Sequence, residues 1–374
     1  MTSKSLLIVV DNLDIGGIQR LAMDELYFFH SRGIKCTLIS LQAIQERKSI
    51  LDVDMEYLKN HFVDIRVSPK QELKRLRFLN SIVDEYRPSV ILCHSARAIA
   101  YFRLLRLTRP FKRFQIYGFI HQIPQMSSKI QNLKRALYFR LADYVWSVSN
   151  QFGLEWDRMR KQSFLYRLVF RGDIAFDRIG LNLDRMRFVS KKTNRVLTRR
   201  TPIIFLGRIN RWKGFDKFCE IVNSDFGDYE VVVFTSPAIH ADVFNEDFFS
   251  KEGRHLVYAK GITDYLWPNS AIHFYPSFYT KDVLHPMSIS LNVLECVYLG
   301  IPSLISHENF ESWPELKDSI LCLKTNWKSS ELRRLVTDLQ DTPKQQFQSE
   351  AIKLREILSI EPHCTRLINK FELN

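Results

Sequence analysis

The sequence predicts an α/β protein with two doubly wound domains, each built on a mainly parallel β-sheet that helices cover on both faces. Its 374 residues exceed what a single hydrophobic core usually serves. Short apolar runs alternate with helical patterns, as in strand–helix–strand units. This alternation stops at a polar, basic stretch, residues 190–200, and then starts again. The 45% of hydrophobic residues suffices for two cores and excludes a disordered chain.

The N-terminal half opens with a strand, a loop and a helix. Residues 6–10 form an apolar run, Gly16 and Gly17 follow in a loop, and residues 21–29 show the helical spacing of apolar side chains. The same signals predict strands at 36–41, 90–93, 115–120 and 144–148, and helices at 72–86 and 132–141. Strands that alternate with helices in this way lie parallel in one sheet.

The C-terminal half repeats the pattern after Pro202. We expect strands at 203–206, 230–234, 273–275 and 303–305, helices at 215–222 and 288–299, and a loop at 207–214. Gly300 is typical of the position that follows a helix. The tail, 350–371, has a helical pattern that Pro362 interrupts. We place the two domains at 1–195 and 196–355 and expect 356–374 to form a C-terminal helix across the domain junction.

Charge is distributed unevenly along the chain. Residues 1–200 carry 36 basic and 18 acidic side chains, whereas residues 201–374 have a net charge of −5. Between 103 and 114, five basic side chains are interleaved with leucine and phenylalanine. Such a basic amphipathic surface suits an anionic membrane face. Nucleic acid and a simple solubilising role are the alternatives for the same charge.

Several classes of protein are disfavoured. The apolar runs are far shorter than the roughly 18 residues that span a bilayer, and the N-terminus lacks the pattern of a secretory signal, so we expect a cytoplasmic protein. Six widely separated cysteines predict buried, reduced thiols. His363 and Cys364 are an adjacent pair of soft metal ligands, but one pair cannot complete a tetrahedral site.

The loop 207–214 is the strongest candidate for a binding site. Ligands of doubly wound sheets bind beyond the carboxyl ends of the strands, and this loop follows a predicted strand and precedes a helix. Arg208 can clamp a diphosphate with two hydrogen bonds, Lys213 supplies a point charge, and the helix N-terminus adds N–H donors. A solvated basic turn is the alternative interpretation.

Other candidates depend on their position after strands or in loops. Glu295 lies on the helix after a strand, where a carboxylate could accept both hydroxyl protons of a ribose, although a solvated acid is the ordinary explanation. Gly16 and Gly17 permit a close approach of backbone to ligand, or simply a tight turn. His121 and His94 each follow a strand and could contact a sugar hydroxyl or have a structural role.

Six segments, in order over about 300 residues, resemble glycosyltransferase family 4, whose retaining, nucleotide-sugar-dependent enzymes have the GT-B fold of two facing Rossmann-like domains with a cleft between them. The segments are VDNLDIGGIQRLAMDEL, FIHQIPQ, ADYVWSVSN, IGLNLDRMRF, FLGRINRWKGFDKF and PSFYTKDVLHPMSISLNVLECVYLGIPSLIS. By resemblance, Arg208 and Lys213 would bind the donor diphosphate, and Glu295 would hold the nucleotide ribose. The resemblance also implies that Gly16 and Gly17 lie near the donor phosphate and the acceptor.

His121 matches the histidine that commonly contacts the transferred sugar in this family. The chain departs from the family at Met287, where the first glutamate of the Glu, seven residues, Glu signature usually stands. Ser288, Ile289 and Ser290 replace its Gly-Phe-Gly, and Asp282 could be a displaced acid. The loop through Leu291 can still offer backbone N–H donors at a helix start.

The resemblance implies transfer of a hexose from a nucleotide-diphosphate sugar to a glycan or lipid-linked acceptor, in synthesis of a surface polysaccharide such as lipopolysaccharide, O-antigen or capsule. Fixed cations would stabilise the leaving diphosphate, so we expect no metal and no cofactor. Residues 52–54 spell Asp-Val-Asp but lie in a polar connecting stretch. We expect peripheral attachment to the inner face of the cell membrane and no nucleic-acid partner. The alternatives are a non-catalytic nucleotide-sugar or polyanion-binding protein, and a sugar-nucleotide epimerase or phosphorylase on the same scaffold.

Overall fold

The chain forms two compact units, each with one parallel β-sheet. The computed structural model describes residues 5–13, 16–42, 64–108, 113–121, 128–170, 173–176, 178–192, 201–235, 244, 246–258, 271–276, 289–306 and 313–371. Within these ranges, the first unit contains the residues up to Asn182 and those from Ile360 onward, and the second contains Leu183–Ser359.

Among the described residues, the sheet of the first unit has seven parallel strands in the order β3-β2-β1-β4-β5-β6-β7. The strands are β1 Ser5–Val10, β2 Lys35–Ser40, β3 Asp64–Val67, β4 Val90–Cys93, β5 Gln115–Ile120, β6 Tyr144–Ser147 and β7 Ile174–Phe176. The helices are α1 Gly17–Ser31, α2 Glu72–Tyr86, α3 Ala96–Thr108, α4 Lys129–Arg140, α5 Asn150–Gln162 and α6 Phe164–Val169. Every residue of β1 is buried, which places this strand in the core.

In the part of the second unit that the structure describes, the sheet has six parallel strands in the order β10-β9-β8-β11-β12-β13. The strands are β8 Ile203–Leu206, β9 Val231–Thr235, β10 Arg254–Tyr258, β11 Ile272–Tyr275, β12 Ser303–Ser306 and β13 Cys322–Thr325. The helices are α7 Leu183–Lys192, α8 Phe215–Asp225, α9 Glu246–Phe249, α10 Leu291–Tyr298, α11 Ser329–Asp341 and α12 Lys344–Leu354. Short 3₁₀ turns occupy Arg211–Lys213 and Pro314–Leu316.

The last helix, α13 Glu361–Phe371, belongs to the first unit. Its Phe371 ring lies 4.3 Å from that of Tyr117, centroid to centroid. The ammonium group of Lys370 lies 4.5 Å from the ring centroid of Tyr144 and 5.2 Å from that of Trp146. These aromatic and cation–π contacts hold helix α13 against strands β5 and β6.

Element boundaries differ from the sequence predictions in two instructive places. Helix α10 begins at Leu291 rather than 288, and it ends before Gly300, whose φ of 74° is the left-handed conformation expected after a helix. The break in the tail precedes Pro362, because proline fits the first turn of α13, where its missing N–H costs nothing. All six cysteines are buried and free, as predicted.

The basic stretch at 103–114 is less exposed to solvent than its sequence indicates. Leu105 and Phe114 are buried in the core. Arg106 donates two hydrogen bonds to Asp143, and Arg103 approaches the same carboxylate at 3.8 Å. Leu104 and Leu107 are exposed, whereas 109–112 lie outside the described residues.

Candidate functional site

Both sheets reverse their strand order beside the first strand, and this switch point is where doubly wound folds bind ligands. In the second unit it lies between β8 and β11, and in the first between β1 and β4. The residues just beyond the carboxyl ends of these strands therefore form the two candidate sites.

The loop after β8 is held in shape by its own side chains. The side-chain oxygen of Asn210 accepts a hydrogen bond from the backbone N–H of Lys213 at 2.9 Å, which closes the turn Arg211–Lys213. Gly214 follows with a φ of 71°, a left-handed conformation that disfavours any residue with a Cβ. Helix α8 begins at the next residue, so the predicted strand, loop and helix are all present.

Lys213 reaches across the switch point. Its ammonium nitrogen lies 3.3 Å from the hydroxyl oxygen of Tyr275, the last residue of β11, and 5.5 Å from the centroid of that ring. Tyr275 is 1% exposed and Lys213 is half-buried. A positive charge is therefore held at the carboxyl ends of both β8 and β11.

The N-terminus of helix α10 lies beside the same strand end. The side-chain amide of Asn292 donates a hydrogen bond to the backbone oxygen of Leu206, the last residue of β8, at 2.9 Å. The N-cap residue of this helix is Ser290, whose buried hydroxyl has no hydrogen-bond partner within the described part of the chain. Ile289 and Leu291 on either side are buried. A helix N-terminus next to a lysine is a favourable environment for a phosphate group.

Glu295 lies one turn further along α10 and is 0% exposed. A side-chain nitrogen of Arg185 on α7, itself 1% exposed, lies 3.7 Å from its carboxylate. The opposite charges compensate each other where water does not reach them. That Glu295 would hold a ribose stays a prediction.

Of the other residues predicted for this site, one is exposed and the rest lie outside the described residues. Arg208 is exposed and follows Gly207 directly after β8. Met287, Ser288 and Asp282 lie outside the described residues, as do positions 52–54.

A cavity of about 220 Å³ lies at the switch point of the first unit. It is lined by polar side chains together with parts of the aromatic core. The polar ones are Asp11, His94, Ser95, Arg97, His121, Arg135 and Tyr138. The Ser95 hydroxyl donates to the Asp11 carboxylate at 2.7 Å, and Arg97 approaches the same carboxylate at 3.5 Å. Burial lowers the pKa of Arg135, an effect that Asp11 partly opposes.

A row of hydrogen-bonded side chains leads from this cavity into the core. One ring nitrogen of His94, Nδ1, lies 2.9 Å from Nε2 of His121, and its Nε2 lies 2.7 Å from the carboxylate of Glu25. The second carboxylate oxygen of Glu25 lies 2.9 Å from Nε2 of His363. Burial alone would raise the pKa of Glu25, but His94 and His363 together lower it to about 2. Burial and the neighbouring His94 lower the pKa of His121 well below its usual range.

Gly16 and Gly17 form the entry to helix α1, close to this cavity. Gly16 is the N-cap residue in an extended conformation, and Gly17 is the first residue of the helix. The next residue, Ile18, lines the cavity. A Cβ added at Gly17 would meet nothing within 4 Å, so there is open space beside this backbone.

Sequence reasoning missed Glu25 and His363, although each carried a signal. Glu25 is four residues from both Leu21 and Phe29, on the apolar stripe of α1, and His363 precedes Leu367 by four residues on α13. A polar residue on the buried stripe of a helix requires a partner. The sequence could not indicate that these two are partners, because they lie in helices at opposite ends of the chain.

The described ranges contain neither a metal-binding cluster nor a membrane span. No group of three or more metal-ligating side chains in them could hold an ion. Among the helices that the structure describes, none combines the length and apolar composition needed to cross a bilayer.

Similar folds occur among solved structures. Sucrose-phosphate synthase from Thermosynechococcus elongatus is 13% identical, with a TM-score of 0.67 over 99% of this chain and 98% of that one. Anabaena HepE, in complex with UDP-glucose, is 13% identical, with a TM-score of 0.68 over 98% of both chains. A glycosyltransferase from Rickettsia africae is 13% identical, with a TM-score of 0.65 over 100% of this chain and 99% of that one. Neither a protein-family model nor a curated protein matches the amino-acid sequence.

At 13% identity this likeness shows the fold. The two parallel sheets, each in Rossmann-like strand order, together with a match over nearly the whole length of both chains, establish the GT-B fold. The predicted fold class is confirmed. Membership of glycosyltransferase family 4 stays a prediction.

Proposed function

We propose that the protein is a glycosyltransferase that takes its sugar from a nucleotide-diphosphate donor bound to the second unit. The observation that carries the proposal is the position of Lys213, whose ammonium group lies at the switch point beside the N-terminus of α10. A point charge and the N-terminus of a helix at one place suit a pyrophosphate group. The UDP-glucose complex of HepE, which shares the fold, supports a uridine diphosphate hexose as the first donor to test.

The chemistry requires stabilisation of the leaving group. The anomeric carbon becomes positive as the C–O bond to the diphosphate breaks, and the departing oxygen becomes negative. Lys213 and the helix start would stabilise that negative charge without rearrangement, and Arg208 on the same loop would add a second cation. Under this proposal no metal is needed. Retention of configuration would follow a front-face route in which the leaving phosphate helps to deprotonate the acceptor hydroxyl.

The cavity of the first unit is the proposed acceptor site. It offers donors from Arg97, Arg135 and Tyr138 and acceptors from Asp11 and His121, a mixture that suits hydroxyl groups and one negative charge. A glycan or a lipid-linked sugar in the synthesis of a surface polysaccharide has both features.

A lipid-linked acceptor would bring the enzyme to a membrane, and the surface of the first unit supports this. Helices α4, α5 and α6 pack on one another and expose apolar side chains, which we call the apolar patch. Its members are Ile130, Leu137, Leu154, Phe164, Leu165 and Leu168. Phe164 is 78% exposed, and the same helices also carry exposed basic residues. Exposed apolar side chains together with exposed cations suit the anionic inner face of a cell membrane.

A panel of nucleoside diphosphate sugars tests the proposal. Thermal shift identifies the donor, because a ligand that binds the folded state raises the melting temperature by mass action. Release of the nucleoside diphosphate, measured with and without acceptor glycans, then reports turnover. We expect one donor to be consumed slowly alone and faster with acceptor. Stabilisation without consumption would favour a non-catalytic nucleotide-sugar-binding protein, and interconversion of donor sugars would favour an epimerase. Consumption that requires inorganic phosphate would favour a phosphorylase.

A further inference from the structure

In the hydrogen-bonded row of the first unit, the chemistry of the side chains decides which atom donates and which accepts at each contact. It runs from the fully buried carboxylate of Glu25 through His94 to His121, which is half-buried and lines the cavity. His363 holds the other carboxylate oxygen. Four elements contribute: α1, the two loops after β4 and β5, and α13.

The donor and acceptor roles follow from the carboxylate of Glu25. An ionised carboxylate only accepts hydrogen bonds, so Nε2 of His94 and Nε2 of His363 must both donate to Glu25. A neutral His94 then has no proton on Nδ1, and this nitrogen must accept from Nε2 of His121 across the 2.9 Å contact.

His94 lies between an aromatic ring and the groups that pair with Glu25 or line the cavity. It is 5% exposed, and its ring stacks on Phe119 at 4.7 Å between centroids. The single negative charge of Glu25 is already shared with His363, and the guanidinium groups of Arg97 and Arg135 line the same cavity. The pairing with Glu25 needs only one ring proton on His94, which leaves Nδ1 as the acceptor for His121.

We propose that Glu25 and His94 are positioning residues that hold His121 in the tautomer with its proton on Nε2, so that Nδ1 accepts a hydrogen bond from a hydroxyl of a bound carbohydrate. The carbohydrate rests on the proposed function, whereas the tautomer does not. The assignment complements the cavity, in which Arg97 and Arg135 only donate. Hydroxyl groups also need acceptors, and His121 adds one to Asp11.

The test is nuclear magnetic resonance of protein labelled with ¹⁵N-histidine, because long-range proton–nitrogen spectra distinguish protonated from bare ring nitrogens. The His121→Gln variant assigns the His121 signals by their disappearance. We expect the spectrum to show a protonated Nε2 and a bare Nδ1 at His121 across neutral pH. A protonated Nδ1, or an equal mixture of tautomers, in the unmodified protein would overturn the inference without any variant having to fold.

Two substitutions test whether His94 selects the tautomer of His121. His94→Phe preserves the stacking on Phe119 but removes the accepting nitrogen, so His121 should become a mixture of tautomers. His363→Gln keeps an amide donor for Glu25 and lies off the path, so it should leave His121 unchanged. A pure Nε2–H tautomer in the His94→Phe protein would show that His94 does not select it. His273, which lies in the second unit, serves as the internal reference.

Kinetics add a readout that structural damage would not produce. His94→Phe should raise KM for the acceptor about tenfold, the loss of one hydrogen bond, whereas His363→Gln should leave that KM within about twofold. If no donor is consumed by the unmodified protein, the proposed function fails and the tautomer still decides this inference. If a donor is consumed but His121 carries its proton on Nδ1, only the inference fails.

Discussion

Lys213→Ala should remove most of the turnover. The ammonium group is half-buried and lies 3.3 Å from the Tyr275 hydroxyl at the switch point. At about 4 Å from a phosphate oxygen, with an effective dielectric constant of about 20, one charge pair is worth roughly 4 kcal/mol. Removing one preorganised group from a developing oxyanion commonly costs about 3–4 kcal/mol. We therefore expect kcat to fall by roughly 10²–10³.

The assay is release of nucleoside diphosphate from the donor that the thermal-shift panel identifies, with binding measured by calorimetry. Because the charge on the diphosphate grows in the transition state, the nucleotide Kd should rise only about tenfold. Lys217→Ala is the matched control, since this lysine lies one turn further on and pairs with Glu220 at 2.8 Å. It should stay within about twofold of the parent. A Lys213→Ala protein with kcat within threefold of the parent and an unchanged Kd would refute the reasoning.

The remaining predictions concern stability and membrane attachment. Glu25, with its pKa lowered from 4.5 to about 2, stabilises the folded state above pH 4.5 and loses that contribution as pH falls toward 2, a difference of roughly 3 kcal/mol. Urea unfolding of the parent and of Glu25→Gln should thus converge below pH 4.5, and a constant gap would contradict this. Gly300→Ala should lower the unfolding free energy by about 1–2 kcal/mol, because φ is 74° there. The control Gly227→Ala, where an added Cβ meets nothing within 4 Å, should change it little. Phe164→Ser should weaken flotation with anionic vesicles about tenfold, whereas Leu73→Ser, 74% exposed on α2, should not, and equal effects would argue against the apolar patch.

The central strands could be predicted from the sequence, and the edge strands could not. The strands in the middle of each sheet are apolar runs buried on both faces, and each was predicted to within a residue or two. The strands that sequence reasoning missed are β3, β7, β10 and β13, the outermost strand on each side of the two sheets. Edge strands are covered less completely, so their sequences include polar residues, as in Arg254–Tyr258, and lack the apolar signal.

The candidate sites divide in the same way. The loop with Lys213 could be predicted, because a strand, a basic turn and a helix are contiguous in sequence. Its partners Tyr275 and Asn292 could not, since they reach the loop from other strands and helices only after the sheet has formed. Likewise, His121 could be placed after a strand, but its link to Glu25 through His94 required the fold.

A crystal structure of the protein with a nucleoside diphosphate bound would test the central claim most directly. The account predicts phosphate oxygens within about 3 Å of the Lys213 ammonium nitrogen and of backbone N–H groups at the start of α10, with the base and ribose extending toward Glu295. A diphosphate bound elsewhere, with Lys213 still engaged only by Tyr275, would contradict it.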